Sequence, residues 1–386
     1  MAKKITKVAT DEAHEITDEI LELLEARISE EYTAAEQEIA AELTEYFEKF
    51  ATKDEIQLEA LSKGLITQDE YNQWKFQQLA VGQKWESLKN TITYELTKTN
   101  QIAKEIAYNT MPYIYALNFN YGTYQVETAS GIVTGFHIYS KNTVAVLFDD
   151  SDKLYHEAGI KLSKKIAVNK DLAWNKQQIQ SIMTQSILKG ESIPKIATRL
   201  QNGASQPFDA SDIKNAASKT AKQIATEVAS KNRNAAIRNA RTMTTYVENR
   251  GRYNSYKQAE SKGLNGKKIW RAVHDNRTRH EHRLLDYQKV GLDDYFEVDG
   301  YEIFEPSDPE AAPHLIYNCR CRLAYEFEGY ERKKYTAEVY ENQEIEGMSW
   351  KEWQSAKATS QKITHQEEVG ESIKQSYIAE YRRKKK

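Results

Sequence analysis

The residues best equipped for chemistry lie close together. His274-Asp275-Asn276-Arg277-Thr278-Arg279-His280-Glu281-His282 is followed by His314 and then by Asn318-Cys319-Arg320-Cys321. Four of the eight histidines and both cysteines fall within these 48 residues. Imidazole and thiolate are the usual ligands of zinc, and a structural zinc site takes four of them. Cys319 and Cys321 can both ligate across a tight turn, and His282 can join them. His280, His314 or Asp275 are the choices for a fourth. Without an ion, the same residues read as a small core with two buried thiols and hydrogen-bonded histidines. His, Asp, Asn and Arg together would also suit phosphodiester cleavage, with Arg on the phosphate. No pair of carboxylates stands at a clear metal spacing, however, and the arginines serve plain phosphate binding equally well. The chain has no Gly-rich phosphate loop, no G-x-S-x-G and no H-E-x-x-H, so the common nucleotide and hydrolase signatures are missing.

Charge is segregated along the 386 residues although the net value is only −3. Residues 11–60 hold seventeen acids against Arg27, Lys49 and Lys53, whereas residues 221–283 hold fifteen Lys/Arg against five acids. Residues 284–330 are acidic again, and the last five residues are all basic. Such blocks speak to partners rather than to fold. The basic block points to a polyanion, with Arg233, Arg238, Arg241, Arg250, Arg252, Arg277 and Arg279 as the phosphate-facing candidates. Two cysteines rule out a disulfide framework and fit a reducing compartment. The N-terminus carries no apolar secretion signal, and no apolar run is long enough to span a bilayer, so no membrane partner is expected.

The elements that must position these residues are mostly helices. Ile16, Ile20, Leu23, Leu24 and Ile28 recur at three- and four-residue spacing, as do Ile39, Leu43 and Phe47. Gly64 breaks the pattern. Thr67 and Glu70 form a capping box for a second helix running toward Asn109, which Pro112 should end. Residues 1–110 thus read as an acidic helical arm. Residues 111–173 read as a mixed linker with short strands, such as Tyr124–Thr128 and Thr143–Phe148, in hairpins. Residues 174–254 form a helical basic region, with a helix–turn–helix outline near 179–200 and a long helix over Ile213–Tyr256. Residues 255–330 form an α+β unit, with a strand near Lys268–His274, a short helix before Asp286, a hairpin about Asp299-Gly300 and a last strand over Cys321–Phe327. Residues 331–386 form a charged helical tail. The fold class is mainly α with a small C-terminal α+β domain.

Three segments, Arg238–Arg252, Trp270–Asp286 and Pro306–Leu323, resemble the minor head proteins of tailed phages, the Mu protein F-like head-morphogenesis group. The hallmark is an Asp-x-Arg-Thr-Arg-x-x-His box (Asp275, Arg277, Thr278, Arg279, His282) followed by Asn-Cys-Arg-Cys (Asn318 to Cys321). The likeness covers about residues 174–327. Many relatives carry an acidic residue where Leu315 stands, Gly where Ser307 stands, and Cys where Arg279 and His282 stand; His282 keeps ligand character and Arg279 does not. The resemblance implies a virion protein assembled in the host cytoplasm and placed inside the capsid near the portal, with ejection alongside the DNA left open. Portal protein, major capsid or scaffold protein and non-specifically bound double-stranded DNA are the implied partners. No enzyme is expected, and the 56 residues beyond 330 are too few for an appended catalytic domain. A metal-dependent nuclease at the portal is the alternative. The resemblance favours His280 as the fourth ligand of a zinc held by His282, Cys319 and Cys321. It gives Asp275, Thr278, Asn318 and Arg320 a structural part.

Overall fold

The computed structural model describes residues 11–80, 83–131, 133–134, 173–177, 210–327 and 348–361. Three long helices dominate: α1 over Glu12–Ser62, α3 over Gln83–Ser130 and α4 over Ala210–Ser261, with the shorter α2 over Gln68–Ala80. The chain forms two compact units, and each of the long helices contributes to both. Residues 27–105 and 162–236 make one, and the remainder makes the other.

The first unit is a bundle with an apolar interior. Ile39, Leu43 and Phe47 of α1 meet Leu88, Ile92 and Leu96 of α3 and Ile224, Ala225 and Val228 of α4. The three- and four-residue spacing puts these side chains on one stripe per helix, and burying the stripes is what stabilises such long, polar helices. Most acids of α1 stay on the other faces; Asp54 is buried and accepts the Tyr71 hydroxyl at 2.7 Å. Gly64 (φ +69°) ends α1, where the amides of Gly64 and Leu65 turn back to the carbonyls of Leu61 and Ala60. The capping box follows: Glu70 N–H donates to Thr67 Oγ1 at 3.2 Å, and Thr67 N–H donates to the Glu70 carboxylate at 2.7 Å.

The second unit joins the start of α1, the end of α3 and the end of α4 to the α+β element and to helix α7 (Trp350–Gln361). Strands β1 (Gly266–Arg271), β2 (Lys289–Gly291) and β5 (Arg322–Phe327) form an antiparallel sheet in the order β2-β1-β5, with Ile269 opposite Ala324 and Trp270 opposite Leu323. Between them lie helix α5 (His280–Leu285), the hairpin β3 (Phe296–Val298) and β4 (Tyr301–Ile303), and the one-turn helix α6 (Pro313–Ile316). Asp299 (φ +50°) and Gly300 (φ +78°) both take the left-handed region that a tight hairpin turn demands.

Two expectations fail in this unit. Pro112 does not end a helix, and Tyr124–Thr128 is not a strand; α3 passes through both to Ser130. A proline inside a helix costs about 3 kcal/mol. Here Ile106, Ala107, Met111, Ile114 and Tyr115 are all buried around it, and that burial outweighs the cost. Over 119–130 the β-branched and hydroxyl residues adapt to the helix by donating to the carbonyl four residues back. Thr123 bonds Phe119, Thr128 bonds Tyr124 and Ser130 bonds Val126, at 2.7–3.0 Å. Gly122, which reads as punctuation, is a contact residue: a Cβ there would meet Ser255 Oγ of α4 at 2.0 Å. The boundaries expected near 110 and 254 therefore fall inside continuous helices. The strand expected at Thr143–Phe148, the outline near 179–200 and most of the tail lie outside the described residues.

Candidate metal centre and its clamp

The two boxes meet inside the second unit. His282 on α5 and Cys319 and Cys321, which precede β5, are buried, and their ligand atoms lie within 4.8 Å of one another. His282 Nε2–H donates to the Leu315 carbonyl at 2.8 Å. That bond fixes the ring and turns Nδ1 toward the sulfurs, 3.3 Å from Cys321 Sγ and 3.7 Å from Cys319 Sγ. A carbonyl on the outer ring nitrogen is the support that a ligating histidine needs. The two sulfurs are not alike. Burial pushes the Cys319 thiol up, but bonding from Cys321 and His282 outweighs it and holds Cys319 well below the usual thiol range. Cys321, beside that anion and itself buried, is pushed well above it. His282 is raised: burial acts against its charge, and Cys319 more than compensates.

Asn318, at φ +53°, makes the turn that lets a C-x-C pair face one way; asparagine tolerates this conformation better than most residues. Helix α4 grips the same segment through a row of polar side chains. Thr242 Oγ1 accepts the Asn318 amide at 3.2 Å, and Thr245 Oγ1 donates to the Cys319 carbonyl at 2.6 Å. Asn249 both donates to the Cys321 carbonyl at 3.2 Å and accepts the Leu323 amide at 2.6 Å. Sequence reasoning missed these three residues. Their signal was a Thr/Asn stripe at three- and four-residue spacing on a helix, too polar for an ordinary core face.

The first box closes on the second through charge. Asp275 takes both guanidinium nitrogens of Arg320, at 2.7 and 2.8 Å, and also accepts the Arg277 amide at 3.0 Å and the Thr278 hydroxyl at 3.1 Å. The Arg320 guanidinium and these bonds hold the Asp275 carboxyl far below the usual range. Asp275, Thr278 and Arg320 are thus one clip around the cluster, and Asn318 is tied instead to Thr242 of α4.

The fourth-ligand candidates are not in the cluster. Asp275 is committed to Arg320, His280 is exposed on α5, and His314 is exposed with its ring edge-on to Tyr301 at 4.9 Å. Two residues apart on helix α5, His280 and His282 are about 200° apart, so only one of them can face the sulfurs. Among the described residues the donor set is one nitrogen and two sulfurs. Such a set suits a soft or borderline divalent ion in three of four positions.

The proposed phosphate-facing arginines separate into different roles. Arg252 is fully buried, with Asp11 on both nitrogens at 2.7 and 2.8 Å, Glu248 at 3.3 Å and the Asn118 carbonyl oxygen at 3.0 Å. Arg250 is mostly buried and paired with Glu305 at 2.6 Å. Arg252 is closed off from solvent, and Arg250 is held by its ion pair. Arg241 is exposed but pairs with Glu25 at 2.6 Å. Arg238 lies over the Tyr317 ring at 4.6 Å, and Arg279 donates to the Tyr317 carbonyl. Arg277 is exposed, and Arg233 is half-buried.

A helix that clamps a C-x-C turn against a small antiparallel sheet, tied by an Asp–Arg clip, defines a structural domain with a buried N/S cluster. Residues 177–324 match the family described as phage Mu protein F like. No curated protein and no solved structure matches the chain.

Proposed function

We propose that the protein is an assembly component of a phage head, placed inside the capsid near the portal, that docks on portal and on major capsid or scaffold protein and touches packaged DNA without catalysing a reaction. The family match over 177–324 carries this reading, and it favours assembly over the nuclease alternative. The buried clamp supports a structural part for the two boxes, because a cluster closed on every side by α4, α5 and the sheet holds elements together and leaves no room for a polymeric substrate. The DNA contact rests on the net positive charge of 221–283 as a whole, with exposed Arg277 and half-buried Arg233 among its candidate contacts; each phosphate neutralised contributes about 0.9 to the log–log salt slope on duplex DNA.

Within this reading the centre holds one zinc through His282, Cys319 and Cys321, which ties the end of α5 to the start of β5 and adds binding energy to folding. Elemental analysis of protein purified without chelator is expected to give one zinc per chain, and Cys319→Ser or Cys321→Ser is expected to release it and lower the melting temperature. Metal-free protein whose melting curve ignores chelator would overturn the zinc. The assembly role is tested separately, by expressing the protein with portal, scaffold and major capsid protein and looking for it in purified heads. Its absence from heads would end the proposal whatever the metal content.

A further inference from the structure

The loop from β1 to α5 walls a cleft of about 520 Å³ that the His282 cluster does not use. Its charged groups are unequal. Asp275 is matched by Arg320. Asp286 is engaged by hydrogen bonds, from His274, whose Nε2 lies 2.8 Å from its Oδ2, and from the Ala272 amide at 2.8 Å. Arg283 is different. Exposed at the cleft wall, it is aimed by one bond from Nη2 to the Asp275 backbone carbonyl at 3.2 Å, and no carboxylate pairs with it among the described residues. Beside it the exposed Asn276 side chain is engaged in no bond among the described residues. Arg283 is the arginine of the cleft lining, and the two carboxylates there already have partners, Asp275 in Arg320 and Arg277 and Asp286 in His274. The group this cleft lacks is an anion. A guanidinium with free donors beside a carboxamide suits the tetrahedral oxygens of phosphate. The volume lies in the range that holds a small ligand.

We propose that this cleft binds a phosphate group of a nucleotide or nucleic-acid strand, with Arg283 as the charged anchor, Asn276 as a neutral donor, and His274, oriented by Asp286, at the rim. The proposal does not depend on the assembly role or on zinc. The geometry suits a terminal phosphate monoester and a backbone diester alike, and the test separates them. Full-length protein is titrated into 3′-fluorescein-labelled single-stranded oligothymidine with and without a 5′-phosphate, and binding of inorganic phosphate is measured by calorimetry. The wild type is expected to bind, and Arg283→Gln is expected to weaken binding at least tenfold. Asn276→Ala and His274→Ala should each weaken it about threefold, and Lys351→Gln, on α7, should change nothing. Preference for the 5′-phosphorylated probe assigns the site to strand ends or nucleotides, and equal binding of the two probes assigns it to the backbone. Because Arg283 is exposed, its variants should keep the wild-type melting curve; Arg283→Lys retains charge without the fork and should fall between wild type and Gln. A wild type that binds no probe, or Arg283→Gln and Asn276→Ala both binding as tightly as wild type, would overturn the proposal.

Discussion

The two compact units solve the burial problem in opposite ways. In residues 27–105 with 210–236, α1, α3 and α4 meet through apolar stripes led by Ile39, Leu43, Ile92, Leu96 and Val228. In the other unit, the helix ends and the sheet converge on buried charge. Arg252 sits among Asp11, Glu248 and Asn118. Lys268 donates to the Phe304 carbonyl at 2.9 Å beneath an aromatic roof, and Glu305 is fully buried beside Arg250. Glu127 accepts Trp353 Nε1–H at 2.8 Å and Lys357 at 2.9 Å, fastening α7. Apolar stripes tolerate small shifts of one helix along another. Buried ion pairs do not, since a displaced charge is left unsolvated. The unit that holds the His282 cluster is thus the one whose geometry is most sharply specified.

The largest effect should come from breaking that specification. Arg252→Ala removes the central cation of the node, leaving buried Asp11 with Arg322 at 2.9 Å and buried Glu248 with His14 at 2.8 Å, and is expected to cost about 3–5 kcal/mol in urea unfolding. A loss under 1 kcal/mol would show that the node is solvated in solution. In the apolar unit Leu43→Ala should cost about 2–5 kcal/mol through its cavity. If Arg252→Met is then far milder than Arg252→Ala, unpaired charge rather than lost volume separates the two units.

The pH response should separate them further. Burial, opposed by Arg250, raises Glu305 to about 7. Its folded pKa lies above the unfolded value near 4.5, so the stability it contributes is complete below pH 4.5 and is lost as pH rises through 7. Burial lowers Lys268 to about 8; the unfolded chain then binds the extra proton between 8 and 10.5, and stability recovers as pH rises across that window. Thermal melts from pH 4 to 10 should show a minimum between 7 and 8, and Glu305→Gln should flatten its acid side. A wild-type curve flat over this range would place Glu305 in water.

The smallest effect belongs to the capping box. Thr67→Ala should cost about 1 kcal/mol, confined to the start of α2. It should leave hydrogen exchange in β1 and β5 unchanged; a slowing or speeding there would mean that the two units unfold as one.

What the sequence determined is whatever a local pattern can encode. The stripe on α1, the Thr67–Glu70 cap, the Gly64 stop, the Asp299-Gly300 turn and the last strand ending at Phe327 each follow from propensity or periodicity over a few residues. The pairing of His282 with Cys319 and Cys321 was legible as well, because the residue types are rare and the boxes short. Tertiary structure decided the rest. Pro112 and the Tyr/Thr-rich stretch after it are helical only because their neighbours are buried. Arg252 is a core residue and not a DNA contact because Asp11, 241 positions away, comes to meet it. Thr242, Thr245 and Asn249 place the cysteines because a strand edge lies against their helix. A charge in a sequence carries no mark of its partner, and only the partner's arrival decides whether it faces water, a phosphate or another side chain.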